Sequence, residues 1–222
     1  MDSLENDVKL RELLERLHAR SIAQEGELQH HLTTGGLSSV TGSDVDMIAG
    51  REFWRDKLVA IDRDKAQFCY RLCRAMGART IVEIGTSYGV STLYLAAAVR
   101  DNGGGTVVAT EYEVDKIAVA RRHFAEAGLS DQIDLREGDL RETLRSGLVE
   151  IDFVLMDTWL PMVLPALEIV GPHLRTGGVI VTDNTESFRE DYADLFAYLR
   201  KHEYTTQTLP FDNGLELSVK LA

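Results

Sequence analysis

The chain has 222 residues, longer than a common single domain of about 150 and short of two. Its 24 Lys and Arg stand against 36 Asp and Glu, and the resulting −12 excludes a binder that tracks nucleic-acid phosphates or an anionic membrane, both of which need a basic footprint. With 44% hydrophobic and 27% charged residues it is expected to be globular; no apolar run is long enough to span a membrane, and Met1-Asp2-Ser3-Leu4-Glu5 lacks the start of a secretory signal, so a soluble cytoplasmic chain is expected.

Leu10, Leu13, Leu14 and Leu17 recur at helical spacing and predict an amphipathic helix within roughly residues 2–32. The polar, glycine-bearing stretch Thr33 to Ser43 reads as a loop, the best candidate for a mobile lid or subunit contact. From Asp62 the pattern alternates. A helix over 64–76 carries Cys69 and Cys73, which are read as core residues. Strands are expected at 80–84, 106–111, 132–136, 152–156 and 179–182, with helices at 90–99, 114–127, 163–174 and 188–202 and a short one after the third strand. Such alternation builds a mostly parallel sheet covered on both faces. Two final β-rich runs, 204–209 and 215–221, flank Phe211-Asp212-Asn213-Gly214 and predict an antiparallel hairpin, with Asn213 and Gly214 supplying positive φ. The fold expected is therefore α/β, a doubly wound, mostly parallel seven-stranded sheet ending in a hairpin. Residues 1–61 form a helical extension, lid or dimer arm, and 62–222 the main domain.

Three clusters carry chemistry. Glu83-Ile84-Gly85-Thr86-Ser87-Tyr88-Gly89 links the first strand to its helix, where glycines let backbone approach a ligand and the helix start offers free N–H donors. The G-x-x-x-G spacing departs from the dinucleotide fingerprint, and an acid at Glu83 repels a pyrophosphate while suiting a ligand with ammonium and sulfonium groups. Ser91 and Thr92 add hydroxyls. Glu111 ends the second strand, where an acid can accept both ribose hydroxyls of a nucleoside. Asp139, after the third strand, either accepts from an adenine amino group or caps the next helix. Asp157 and Asp183-Asn184 end two further strands. If these are neighbours, two carboxylates and an amide carbonyl make a hard-oxygen site for Mg²⁺ or a similar cation; otherwise the acids cap helices.

Together these clusters resemble the cation-dependent class I S-adenosylmethionine O-methyltransferases of the caffeoyl-CoA and catechol type. The resemblance runs from about Asp62 to Lys220 and includes Asp64-Lys65-Ala66-Gln67, the segment Glu83 to Thr92, Glu111, Ile151 to Asp157, Leu174-Arg175-Thr176-Gly177-Gly178, Asp183-Asn184 and Leu209 to Leu215. It implies S-adenosylmethionine bound by Glu83, Gly85, Tyr88, Gly89, Ser91, Glu111, Asp139 and Asp157, and a divalent cation such as Mg²⁺ on Asp157, Asp183 and Asn184. It also implies a small-molecule hydroxyl acceptor and a homodimer. Asp157, Trp159 and Lys65 are the candidates at the reacting centre, Trp159 as a wall of the acceptor site and Lys65 beside the cofactor. One position departs: where the family has a Lys to deprotonate the acceptor, three residues after the first metal Asp, this chain has Leu160. His30 and His31, near the expected loop, are weak substitutes. Two other readings stay open, a metal-independent methyltransferase acting on another nucleophile, and a nucleotide-binding oxidoreductase or binding module.

Overall fold

The computed structural model describes residues 2–222. The N-terminal part contains α1 (Ser3–Asn6), α2 (Val8–Ile22), α3 (Glu25–His31), α4 (Ser38–Thr41) and α5 (Asp44–Trp54). The leucine stripe of α2 is buried against the same apolar cluster as the sheet, with Leu10 and Leu13 fully covered. Polar contacts secure this end: Ser3 Oγ and Tyr70 Oη both donate to Asp101, at 2.5 and 2.6 Å, and Arg100 donates to Asp7 at 2.9 Å. The expected Thr33–Ser43 loop is instead mostly helical. A kink at Thr34 and Gly35, both with non-helical dihedrals, leads into α4, and a reciprocal Ser43–Asp46 capping box then starts α5, which the sequence pattern did not suggest.

The main domain follows as α6 (Arg63–Met76), β1 (Thr80–Ile84), α7 (Val90–Asp101), β2 (Thr106–Glu111), α8 (Val114–Glu126), β3 (Ile133–Glu137), α9 (Leu140–Thr143), β4 (Ile151–Met156), α10 (Leu160–Val170), β5 (Leu174–Asp183), α11 (Ala193–Lys201), β6 (Tyr204–Leu209) and β7 (Leu215–Lys220). The seven strands are ordered β3-β2-β1-β4-β5-β7-β6, and β7 alone runs opposite to the other six. This is the doubly wound α/β sheet expected. Alternate residues of β1 enter opposite layers: Ile81 joins the α2, α6 and α7 side, while Val82 and Ile84 join the α10 and α11 side. Cys69 and Cys73 are buried free thiols on α6. No helix among the described residues is long and apolar enough to cross a membrane.

Differences in the later elements have local causes. Helix α10 begins three residues earlier than expected because Pro161 sits in its first turn, where a missing N–H costs nothing. Strand β5 starts at Leu174, so it runs through Gly177 and Gly178. Helix α11 starts only at Ala193; the preceding turns are tied to the sheet by the Tyr192 hydroxyl, which donates to the Asp183 carbonyl at 3.0 Å. The hairpin has both positive φ values expected, 58° at Asn213 and 76° at Gly214.

The chain winds outward from β1 to β3, then returns across to β4, so β1 and β4 flank the point where the winding reverses. There the backbones nearly touch: a Cβ on Gly85 would lie 2.0 Å from the Asp157 carbonyl oxygen, and Gly85 has φ +94°. Gly103 has a similar φ of +89° but open space around it. Gly103→Ala should therefore cost only the left-handed backbone penalty, about 1–2 kcal/mol, whereas Gly85→Ala adds a backbone collision. Urea unfolding of the two variants checks this, and equal midpoints would contradict the close approach.

Candidate functional site

A cavity of about 390 Å³ opens over the carboxyl ends of β1, β2 and β4, the place where open α/β sheets bind ligands. One half is polar. Gly85, Ser87 and Tyr88 line it from the β1–α7 turn and Ser91 from the first turn of α7, Glu111 and Tyr112 from the end of β2, and Asp139 and Arg141 from the β3–α9 junction. Glu111 is held in place by backbone: the amides of Ser87, Tyr112 and Glu113 each donate to its carboxylate at 2.7 Å. Burial raises its pKa, and those amides together with the Lys116 ammonium pull it back. Asp139 caps α9 through the Arg141 amide and also grips the Arg141 guanidinium, whose hydrogen bonds hold its pKa below the usual range. Of the two roles expected for it, the cap is the one it fills, and it also lines the cavity. Gly89 caps α7 in the left-handed region, and a Cβ there would strike Phe124 at 2.4 Å.

Glu83 sits deeper than expected. It does not line the cavity; it is fully buried beneath the turn, where Thr86 and Thr92 hydroxyls donate to Oε2 at 2.9 and 2.5 Å. Its Oε1 has no partner. Burial lifts its pKa from 4.5 to about 7, against the pull of those hydroxyls. Its place is under the glycine turn, positioning the turn from below.

The other half of the cavity is apolar and aromatic. Trp159 and Leu160 come from the β4–α10 junction, Met162 from α10, and Phe188 and Tyr192 from the turns before α11. Helix α5 covers this half with Met47 and Trp54. Trp54 is 7% exposed, donates from Nε1 to Ser39 Oγ at 2.8 Å and meets Trp159 with ring centroids 5.0 Å apart. Three ion pairs tie the cover to the polar half: Arg51 with Glu113 through two bonds of 2.5 and 2.9 Å, Arg55 with Asp115 at 3.3 Å, and Arg141 with Asp44 at 2.8 Å.

Asp157 and Asn184 sit on the wall where the halves meet. Strands β4 and β5 are parallel neighbours with Met156 opposite Thr182, so the residues that follow them are adjacent, as the metal reading required. Asn184 has φ +58°, a left-handed conformation that Asn tolerates better than most residues. Among the described residues, no donor is hydrogen-bonded to the Asp157 carboxylate and no group to the side-chain amide of Asn184, whose backbone N–H is the one engaged. Asp183, 4% exposed, lies behind them and accepts on Oδ1 from Lys65 Nζ at 2.6 Å and from the Asn184 amide at 2.8 Å, leaving Oδ2 without a hydrogen bond. Burial drives the Asp157 pKa well above the carboxylate range, reinforced by the charges of Asp183 and Glu83; burial also raises that of Asp183, against Lys65. Among the described residues no group of three or more His, Cys, Asp or Glu is arranged to hold a metal. The oxygen set consists of two carboxylates and one amide, all with a free acceptor atom, and that chemistry fits a hard divalent cation.

Lys65 likewise sits deeper than expected. It is 1% exposed, does not line the cavity and touches Asp183, so it is a positioning residue and not a group at the reacting centre. His30 is exposed and His31 stacks on Phe53 at 3.5 Å; neither lines the cavity. Sequence reasoning missed Trp54, Met47, Arg51 and Arg141. The Ser43–Asp46 cap followed by an aromatic-ended run was the available signal for α5.

Residues 82–185 match the family model described as a methyltransferase domain. A catechol O-methyltransferase of Niastella koreensis is 28% identical over 57% of this chain and 58% of its own length. Tricin synthase 1 of Oryza sativa is 29% identical over 64% and 58%, and catechol O-methyltransferase B of Danio rerio 26% over 87% and 76%. Over this region the chain is similar to O-methyltransferases of the catechol type. It spans 58% of the length of the Niastella and rice relatives. Among solved structures, the S-adenosylhomocysteine-bound methyltransferase PaMTH1 of Podospora anserina superposes with a TM-score of 0.67 at 20% identity, over 73% of this chain and 80% of that one. The O-methyltransferase TomG of Streptomyces achromogenes, in complex with S-adenosylmethionine, gives 0.64 at 24%, over 85% and 90%. These likenesses show the shared fold.

Glu83 yields a pH prediction. Its folded pKa, about 7, lies above its ordinary 4.5, so its contribution to stability is complete below pH 4.5 and is lost as pH rises through 7. Glu83→Gln cannot ionise, and an amide can keep its carbonyl toward the two threonines. The variant should melt higher relative to the parent at pH 7.5 than at pH 5; a pH-independent difference would contradict the assignment.

Proposed function

We propose that this chain is an S-adenosylmethionine-dependent O-methyltransferase acting on a hydroxyl of a small, uncharged aromatic molecule with the help of a divalent cation. One observation carries the reading: a single cavity joins a carboxylate pinned at ribose height, Glu111, to the open oxygens of Asp157 and Asn184 beneath two tryptophans. The names of the relatives support the class of reaction.

The bound cofactor supplies an electrophilic methyl on a sulfonium, and a divalent cation, where present, supplies orientation and acidification of an acceptor hydroxyl. The chain's own residues do the rest. Glu111 accepts from the ribose hydroxyls, already oriented by three amides, so little reorganisation is needed on binding. The glycine turn brings backbone to the cofactor without side-chain interference. Asp157, Asn184 and the free Oδ2 of Asp183 would hold the cation. Trp54, Trp159, Met47 and Met162 exclude water and clamp a planar ring, which places its oxygen in line with the methyl; such positioning is the main lever for a displacement of this kind. The wall of Met47, Trp54, Trp159 and Met162 is apolar and aromatic, which suits a planar, uncharged acceptor ring. With Leu160 in place of the family Lys and no His lining the cavity, proton acceptance falls to Asp157 or to solvent.

The test is S-adenosylhomocysteine release from a panel of phenolic acceptors, with and without chelator. Absence of S-adenosylmethionine binding in calorimetry would sink the proposal. Glu111→Ala should weaken cofactor binding about 10- to 100-fold, the value of hydrogen bonds to a charged group. Asp157→Ala should lose turnover and keep cofactor affinity within a few fold. Trp159→Ala should raise the acceptor KM with little change in cofactor Kd.

A further inference from the structure

Lys65 is an ammonium in a place where water cannot solvate it. It is 1% exposed, in the first turn of α6, and its Nζ lies 2.6 Å from Asp183 Oδ1 and 3.6 Å from Asp62 Oδ2. A buried charge persists only where an opposite charge meets it, and Asp183 is 4% exposed and meets it directly. Oδ1 of Asp183 also takes the Asn184 amide at 2.8 Å, so this oxygen is fully engaged by protein donors. Asp183 can therefore offer a cation only Oδ2, and the pair Asp157 and Asp183 reaches it with one of its two negative charges already offset.

We propose that Lys65 is a built-in counter-charge of the cation site, a positioning residue that assembles Asp183 before any ion arrives and holds down the affinity for that ion. This rests on the cation reading above and goes beyond it by assigning the limit on affinity to one side chain. A site with both carboxylates uncompensated would be costly to bury empty and would release its ion slowly. With an ammonium locked to one of them, the empty site is stable and the ion exchanges.

The charge, not the hydrogen bond, is the active property, and three variants separate the two. Lys65→Gln keeps a donor but removes the charge, Lys65→Met removes both, and Lys65→Arg keeps the charge. Mn²⁺ binding is followed by the electron paramagnetic resonance signal of the free ion, with S-adenosylhomocysteine present and no acceptor, so turnover does not enter. Lys65→Gln should bind Mn²⁺ at least about tenfold more tightly than the parent, since a unit charge a few ångströms from a divalent ion is being withdrawn, and Lys65→Arg should stay within about threefold. Without Mn²⁺, Lys65→Gln should melt below the parent, and the ion should restore it. Should that variant not fold, Lys65→Met must show the tighter binding instead. Unchanged or weaker binding in the uncharged variants overturns the proposal and leaves Lys65 as a simple orienting donor. Failure of parent and variants alike to take up millimolar Mn²⁺ overturns both this proposal and the cation reading, while calorimetry with S-adenosylhomocysteine reports separately on the methyltransferase reading.

Discussion

Three carboxylates, Glu83, Asp157 and Asp183, come from the adjacent strands β1, β4 and β5 at the carboxyl end of the sheet, and much of the surrounding architecture serves to keep them there. Taking a carboxylate out of water is expensive unless donors or cations replace its hydration. Each acid meets that demand differently. Glu83 has two threonine hydroxyls from the turn and helix that follow its own strand. Asp183 has an ammonium brought from α6, 118 residues away in sequence. Asp157 has neither and opens into the cavity, which leaves it to be met by a ligand. A compensated rear and an uncompensated front give the site its direction.

The second constraint is geometric. Gly85 lies so close to the Asp157 carbonyl that the β1 turn and the end of β4 act as one rigid ledge. Against it α5 forms a cover whose attachment is unequal in strength. Losing a buried Trp side chain costs about 3–5 kcal/mol, whereas exposed ion pairs of the kind at the rim contribute about 0.2–1 kcal/mol each. The cover is thus anchored by Trp54, with Arg51 and Arg141 setting its orientation over the polar half.

The main domain was legible because its signals are local. Runs such as Thr80-Ile81-Val82-Glu83-Ile84 and Phe153-Val154-Leu155-Met156 announce strands by their own composition, and the strand order brought Glu111, Asp157 and Asn184 to one edge as the doubly wound pattern implied. The N-terminal cover was not legible, because Trp54 becomes a wall only through its contact with Trp159, more than a hundred residues on. Glycines at 35 and 36 read as a loop, but the break they make is only a kink between short helices, with φ +110° at Gly35. Lys65 and Glu83 were placed correctly along the chain and misjudged in depth. Sequence spacing tells which edge a side chain approaches, and packing decides whether it reaches the cavity or stops one layer below.

Helix α6 carries one more consequence. It sets Cys69 and Cys73 in the apolar core, where burial raises both thiol pKa values far from the thiolate form that reacts with electrophiles. The native fold therefore presents no reactive sulfur, and a single cysteine introduced on the outer face of α5, at the 74% exposed Val45, is a unique attachment point. A fluorophore there would report the angle of the cover over the cavity without any background from the rest of the chain.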